Sequence, residues 1–345
     1  MKTEFDCSLG EGGGSVIRIS TAIAAATDIS LRLTNIRGRR SNPGLRAQHI
    51  ESISAIQQLS GISVDGLEIG NQTLNIEPGK KKSSSASVFI RTAGSTALVA
   101  QAVMHYATTQ NRDLDLHIKG GATHTKWAPS IEYIEKITHT FLQKMNKNID
   151  VKINRYGFYP KGGADCVFSF KKHNDLLTID LTEKGKLEEI DVFSVASKNL
   201  ESRQVAERQY RSFLKETNPQ VTVEPHLIYV NSLNPGTGFT VINKYSSGTN
   251  IGCFIVGEKK ISAEFVGKLC SKKWKENEKS SAAVDEYAAD QLIIPLSLID
   301  GNSRFTTNKI TRHTQTNIEL AEKFTNSTIN VSKKQNCYLI DVKNK

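Results

Sequence analysis

The spacing of apolar and polar positions predicts the same order of elements three times along the chain. In residues 15–77, 95–170 and 284–342, a helical pattern precedes a strand, a second helix and two more strands. The predicted helices cover 15–26, 46–60, 95–108, 129–146, 284–299 and 315–324, and the predicted strands cover 29–36, 62–68, 72–77, 113–119, 149–155, 164–170, 303–309, 328–332 and 337–342. With a leading strand added, such as 87–91 before the second unit, each unit becomes a four-stranded sheet with two helices on one face. Such units cannot bury their sheet faces alone, so we expect three of them to pack around a shared core.

Residues 182 to about 280 interrupt this order. They contain a polar helix at 202–215, strands near 221–230 and 238–246, and a lysine-rich helix at 262–278. We therefore expect an α/β (α+β) protein with a small α/β domain, residues 182–280, inserted into a larger domain. Units one and two would lie in residues 1–181, and unit three in residues 281–345.

Composition favours a polyanionic partner. The 45 lysines and arginines exceed the 35 aspartates and glutamates by ten, and the sequence pI is about 9.2. This excess attracts nucleic acid through counterion release, although many basic proteins bind none. Aromatic residues make up only 7% of the chain, which argues against a broad base-stacking platform.

The cysteines and the apolar stretches indicate the compartment. The five cysteines are far apart and include no Cys-x-x-Cys pair, so we expect reduced thiols and neither disulfides nor a zinc site. The first residues lack an apolar signal core, and no stretch approaches the roughly 20 apolar residues of a membrane span. We expect a soluble cytoplasmic protein that does not bind membranes.

Two segments near the start could bind phosphate. The run Gly10–Glu11–Gly12–Gly13–Gly14 enters a predicted helix and exposes backbone N–H groups, but it lacks the Gly-Lys-Ser/Thr of a P-loop. Farther on, four arginines surround the Pro43–Gly44 turn: Arg37, Arg39, Arg40 and Arg46. A plain tight turn and a solvated basic loop are the alternative interpretations.

Two segments near the end could carry chemistry. His313 lies between a predicted strand and a predicted helix, where the positive helix end favours a neutral, nucleophilic imidazole. Earlier in the chain, Tyr287, Asp290 and Gln291 lie at positions i, i+3 and i+4 of a predicted helix, so their side chains share one face and could reach one ligand. Without further information, a surface histidine and a packed helix would be the simpler interpretations.

Together these segments resemble the RNA 3'-terminal phosphate cyclase family. The similarity continues in the family's order through Thr92–Ala93–Gly94–Ser95, Gly120–Gly121, Ala128–Pro129, the run from Arg155 to Gly163, and Val256–Gly257–Glu258–Lys259. It spans nearly the whole chain and is weakest at about 183–245. The family's layout, three repeats interrupted by a small insert, agrees with the pattern above.

The resemblance implies a ligase-type nucleotidyl transferase of RNA processing and repair. An RNA 3'-terminal phosphate would be converted to a 2',3'-cyclic phosphate with ATP and Mg²⁺ or Mn²⁺. A histidine would take AMP from ATP, pass it to the RNA 3'-phosphate to give RNA(3')pp(5')A, and the neighbouring 2'-hydroxyl would then expel AMP.

The resemblance also implies residue roles. His313 would be the nucleophile, and Glu11 would hold the divalent cation, with helix capping as a competing role for Glu11. ATP would contact Gln101, Pro129, Tyr133, Tyr287, Ala288, Ala289, Asp290 and Gln291. The triphosphate and the RNA terminus would contact Arg18, Arg37, Arg40, Gln48 and His49. Residues 123–127 depart from the family's pattern beside the expected adenine pocket.

Two alternatives stay open. A ribosome-biogenesis factor of the same fold lacks the nucleophilic histidine and the glycine-rich glutamate, both of which this chain has. Enolpyruvyl transferases share a similar repeated architecture but need neither ATP nor a histidine nucleophile. The sequence leaves the oligomeric state and the physiological RNA undetermined.

Overall fold

A computed structural model describes residues 3–344, and the first predicted unit folds as a four-stranded sheet with two helices. Its elements are β1 (Thr3–Asp6), α1 (Gly14–Thr27), β2 (Leu31–Thr34), α2 (Ala47–Ser60), β3 (Ser63–Asp65) and β4 (Leu74–Glu77). The strand order is β1-β2-β4-β3, with β1 and β2 parallel and the other pairs antiparallel. Left-handed residues end both helices, Asp28 after α1 and Gly61 after α2.

The second unit has the same topology. Its elements are β5 (Ser85–Ser95), α3 (Thr96–Ala107), β6 (Leu114–Ala122), α4 (Ile131–Tyr133), a π-helical turn (Ile134–Thr138), α5 (His139–Lys144), β7 (Ile149–Arg155) and β8 (Asp165–Phe170). The strand order is β5-β6-β8-β7. The single helix predicted at 129–146 is therefore interrupted by a π-helical turn, a feature that apolar spacing does not encode.

The third unit begins before the insert. Its leading strand, β9 (Asp180–Leu181), pairs in parallel with β14 (Gly301–Thr307). The remaining elements are α8 (Glu286–Ser297), α9 (Arg312–Phe324), β15 (Ser327–Lys333) and β16 (Tyr338–Asn344), and the strand order is β15-β16-β14-β9. Residues 180–181, which the sequence grouped with units one and two, thus complete the sheet of unit three.

The insert forms its own sheet and apolar cluster. Its elements are β10 (Leu187–Ser197), a 3₁₀ helix (Lys198–Arg203), α6 (Val205–Thr217), β11 (Thr222–Val230), β12 (Thr237–Tyr245), β13 (Asn250–Val256) and α7 (Ala263–Lys279), with strand order β11-β10-β12-β13. Phe213, Phe239 and Val266 lie in a cluster of buried residues within the insert. The sequence missed β10 and β13.

The helices of the three repeats share one hydrophobic core. Ile17 of α1, Val103 of α3, Ile293 of α8 and Leu320 of α9 are fully buried in the same cluster. This arrangement confirms the predicted α/β fold of repeated units around a common core, and it brings the ends of α1, α3, α8 and α9 together. Among residues 3–344, no helix is both long and apolar enough to span a membrane.

Candidate active site

A cavity of about 650 Å³ lies where the three units and the insert meet. Eight of the residues expected from the sequence line it: Arg18, Gln101, Pro129, Tyr133, Tyr287, Asp290, Gln291 and His313. The cavity is therefore lined by residues of α1, α3, α8 and α9, helices that come from both ends and the middle of the chain. Ala288 and Ala289 are buried and do not line it.

The first turn of α9 positions His313. Thr311 caps the helix, since its hydroxyl accepts a hydrogen bond from the Thr314 backbone N–H at 2.9 Å and the Thr311 N–H donates to the Thr314 hydroxyl at 3.2 Å. The helix begins at Arg312, whereas the sequence predicted a start at 315. His313 is therefore the second residue of the helix and not a junction residue, and its side chain is 53% exposed.

Asp290 fixes this turn from α8. One carboxylate oxygen accepts hydrogen bonds from the hydroxyls of Thr311, at 2.8 Å, and Thr314, and its backbone carbonyl accepts from the Asn317 amide at 2.7 Å. Burial raises the pKa of Asp290 to about 6, against the lowering effect of the two threonine hydrogen bonds. The carboxylate expected to reach a ligand is thus already engaged in holding the helix that carries His313.

The glycine-rich loop brings Glu11 to His313. The Glu11 Oε2 atom lies 3.1 Å from His313 Nδ1, although 302 positions separate the two residues in the chain. Ser15 donates a hydrogen bond to Oε1, and the Glu11 backbone N–H donates to the Thr316 hydroxyl at 3.0 Å. Gly10 makes this approach possible, because its φ is +61° and a Cβ there would lie 2.5 Å from the Thr316 hydroxyl oxygen.

A cationic cluster surrounds the Glu11 carboxylate. The Arg40 guanidinium lies 4.0 Å from it and donates to the Glu11 backbone carbonyl at 3.2 Å. Arg18 is buried, and burial lowers the pKa of its guanidinium to about 10, partly offset by Glu11. Burial and then the charges of Arg18, Arg37 and Arg46 lower the pKa of His49 to about 3, so this imidazole is neutral.

Arg37 and Gln48, two of the expected phosphate contacts, already form hydrogen bonds within the protein. The Arg37 guanidinium donates to the backbone carbonyls of Asn42 at 2.7 Å and Gly44 at 3.0 Å, which closes its own loop. The Gln48 side-chain carbonyl accepts a hydrogen bond from the Ser95 N–H at 3.2 Å. Both residues thus shape the walls beside Glu11, and neither lines the cavity itself.

The α8 side of the cavity has one exposed aromatic ring and several polar side chains that already form hydrogen bonds within the protein. Tyr287 is 40% exposed, whereas Tyr133 is buried and donates its hydroxyl hydrogen to Asp285 at 2.5 Å. The Gln291 side-chain carbonyl accepts from the Thr138 hydroxyl at 2.7 Å, and its amide donates to the Tyr287 carbonyl at 3.3 Å. Tyr287 is therefore the most accessible of these groups.

The insert lines one side of the cavity, which the sequence did not indicate. Phe254, Ile255 and Val256 of β13 and Phe265, Val266, Leu269 and Lys273 of α7 are lining residues. Thr125, Lys126 and the 94%-exposed Trp127 line the cavity from unit two. The resemblance included Val256 at the end of β13, but no sequence signal identified Phe254 or Ile255, because β13 itself was not predicted.

His105 is a second lining residue that sequence reasoning missed. It lies four residues after Gln101 on α3, so the two share a helix face. It is only 1% exposed, neither ring nitrogen has a hydrogen-bond partner, and burial followed by the Arg18 charge lowers its pKa to about 3. The i, i+4 spacing from Gln101 was the one available signal.

The site contains one carboxylate suited to a divalent cation. Among the described residues, no group of three or more His, Cys, Asp or Glu side chains is arranged to hold a metal ion. Mg²⁺ commonly uses one or two protein carboxylates together with substrate phosphates and water, so Glu11 alone fits such a role. Its side chain is 8% exposed and faces His313.

Comparison with known proteins shows the family of this chain. Residues 9–331 match the family model described as RNA 3'-terminal phosphate cyclase. Proteins named RNA 3'-terminal phosphate cyclase from Caldivirga maquilingensis, Methanothermobacter thermautotrophicus and Staphylothermus marinus are 35%, 34% and 32% identical to this chain. The alignments cover 96%, 93% and 93% of this chain and 95%, 94% and 91% of those proteins, respectively.

Fold, site and full-length similarity together define a ligase-type enzyme built on repeated sheet–helix units. The chain belongs to the RNA 3'-terminal phosphate cyclase family.

Proposed function

We propose that this protein converts an RNA 3'-terminal phosphate to a 2',3'-cyclic phosphate with ATP, through a covalent adduct of His313 with AMP and an RNA(3')pp(5')A intermediate. The observation that carries the proposal is the pairing of His313 with Glu11 at the edge of the cavity. An exposed imidazole at a helix N-terminus, 3.1 Å from a carboxylate, has the arrangement that nucleophilic catalysis needs.

The geometry favours one ring nitrogen as the nucleophile. Glu11 lies against Nδ1 of His313, so the carboxylate favours a proton on that nitrogen and leaves the Nε2 lone pair free. In the proposed first step, Nε2 forms a bond to the α-phosphorus of ATP as the bond to the pyrophosphate oxygen breaks. The residues lining the cavity beside His313, chiefly Tyr287 and Gln101, would hold the nucleoside.

The next two steps use the same phosphorus chemistry. An oxygen of the RNA 3'-phosphate attacks the adduct and releases His313, which gives a phosphoanhydride with AMP. The neighbouring 2'-hydroxyl then attacks the RNA phosphorus and expels AMP, and its fixed proximity makes ring closure fast. Arg18 and Arg40 beside Glu11 would neutralise phosphate charge in each step.

A divalent cation, Mg²⁺ or Mn²⁺, fits beside Glu11. When bound, such a cation neutralises charge on phosphate oxygens in the transition state. Glu11 is held for this role by Ser15 and by the backbone bond to Thr316.

We propose further that residues 1–181 and 281–345 form the catalytic domain and that residues 182–280 form the inserted one. The partner would be an RNA with a 3'-terminal phosphate, and the compartment would be the cytoplasm. All five cysteines are buried and form no disulfide, which suits a reducing compartment.

Labelling with radioactive ATP tests the proposal. With a divalent cation present, the protein should become covalently labelled from α-labelled ATP and not from γ-labelled ATP, through a bond that acid breaks and alkali spares. His313→Ala and His313→Asn should abolish the label, and both should fold normally because the side chain is half exposed. Label that persists in His313→Ala would assign the nucleophile to another residue and refute the mechanism.

A further inference from the structure

The cavity has an apolar wall that belongs to the insert. Phe254 and Ile255 come from β13, and Phe265, Val266 and Leu269 come from α7. Phe265 is 47% exposed, so a large apolar ring lies uncovered at the cavity. Apolar surface at a cavity of this size is unfavourable in water and favours a flat apolar ligand that covers it.

One polar group interrupts this wall. Lys273 follows Val266 and Leu269 at helical spacings of seven and four residues, so it extends the same face of α7. Its ammonium donates a hydrogen bond to the Tyr287 hydroxyl at 3.1 Å and lies 5.4 Å from the centre of that ring. Lys273 therefore connects the insert directly to the exposed ring on α8.

An ion pair also joins the insert to unit two. Lys126, in the loop before α4, lies 2.6 Å from Glu258, in the turn after β13. Both residues line the cavity, and both are exposed. Such an exposed pair contributes little to stability, so its placement matters mainly for where the insert lies relative to unit two.

We propose that Lys273 is a positioning residue for the nucleotide: it fixes the Tyr287 ring, and the adjoining α7–β13 wall accepts the planar base. The inference rests on the proposed function, because the ligand is taken to be ATP. A tyrosine that is 40% exposed would otherwise sample several side-chain orientations, and restricting it before binding reduces the ordering that the ligand must impose. The insert is then part of the nucleotide site and not a separate module.

Direct measurements of ATP binding distinguish a role of Lys273 in nucleotide binding from a role in the chemical step. In a His313→Asn parent, which cannot form the adduct, ATP binding is measured by titration calorimetry. Lys273→Met should weaken binding about tenfold, as expected for loss of one hydrogen bond from a charged donor. Lys273→Arg retains a donor and should bind close to the parent, and Lys272→Met, at the exposed neighbouring lysine, is the matched control and should bind like the parent.

A double-mutant cycle tests whether Lys273 acts through Tyr287. Tyr287→Phe removes the hydroxyl that Lys273 contacts, so Lys273→Met should cause no further loss in that background. In protein with His313 intact, Lys273→Met should raise the KM for ATP in the labelling reaction and leave the limiting rate unchanged. A lysine that only stabilised the fold would lower the limiting rate and the Tm together.

The outcomes distinguish the inference from the function on which it rests. Unchanged ATP binding in Lys273→Met, or an additive loss in the Tyr287→Phe background, would overturn the role of Lys273 while labelling of His313 still succeeds. A wild-type protein that neither binds ATP nor becomes labelled would overturn both.

Discussion

Replacing Gly10 with alanine should separate Glu11 from His313. Gly10 has a φ of +61°, and an added Cβ would lie 2.5 Å from the Thr316 hydroxyl oxygen and 3.0 Å from its methyl carbon. That hydroxyl accepts the hydrogen bond from the Glu11 N–H, which ties the glycine-rich loop to α9. The alanine side chain must therefore displace either the loop or Thr316, and both movements break this bond.

The size of the effect follows from two contributions. A left-handed conformation costs a non-glycine residue about 1–2 kcal/mol, and loss of a typical hydrogen bond costs about 1 kcal/mol. Their sum, about 2–3 kcal/mol, corresponds to a slowing of roughly 30- to 150-fold if it is expressed fully in the adenylylation barrier. The assay is the single-turnover rate of labelling from α-labelled ATP by Gly10→Ala.

Gly70→Ala is the matched control. Gly70 also has a positive φ, +84°, but an added Cβ there would meet no atom within 4 Å. This variant carries the backbone penalty where an added Cβ meets nothing, so the cost should lower stability without moving Glu11, and labelling should proceed at the wild-type rate. Wild-type labelling by Gly10→Ala would show that the Glu11–Thr316 contact does not position Glu11.

Three further predictions address charge, phosphate binding and the leaving step. The pKa of Asp290 is raised to about 6 from the usual value near 3.9, so its protonated form favours the fold. This stabilisation, up to about 3 kcal/mol, should disappear as the pH rises from about 4 through 6. In urea unfolding, Asp290→Asn should not show that loss of stability. Arg37→Ala should open the loop that the guanidinium holds through two backbone carbonyls, and it should slow cyclisation of a 3'-phosphorylated oligoribonucleotide about 100-fold. Arg39 is exposed on the same loop, so Arg39→Ala should match wild type. A substrate with a 2'-deoxy terminal sugar should accumulate the adenylylated intermediate without releasing AMP; unreacted 3'-phosphate with both sugars would exclude the proposed reaction.

Periodicity predicted the repeats well where a strand buries only one face. The burial of β4 and β8 alternates along the strand, which is the pattern that apolar spacing detects. By contrast, β10 is buried continuously from Ile190 to Ser197, and β13 contains a glycine, so neither alternates clearly. The leading strand β9 has only two residues and is too short for any periodic signal.

The resemblance pointed to eight residues that line the cavity, but not to the hydrogen bonds that they form within the protein. It indicated Asp290 and Gln291 as ligand contacts, and the structure shows that their side chains are already bonded to Thr314 and Thr138. The contribution of Lys273 was not predictable, because it reaches Tyr287 only through the packing of α7, a helix in which the sequence shows no family motif. Local patterns predict elements, whereas contacts between distant segments depend on tertiary structure.

The contacts behind His313 explain why an exposed histidine can begin α9. Thr311 alone would suffice to cap the helix, yet the partly buried carboxylate of Asp290 bonds the same turn, and withdrawing a charge from water is costly. The favourable interaction of a negative charge with the positive end of a helix offsets part of this cost. The additional bond from Asn317 to the Asp290 carbonyl also joins α9 to α8. These contacts favour a constant separation between Tyr287 on α8 and His313 on α9, which a reaction between a bound nucleotide and a nucleophile requires, because small displacements reduce the rate strongly.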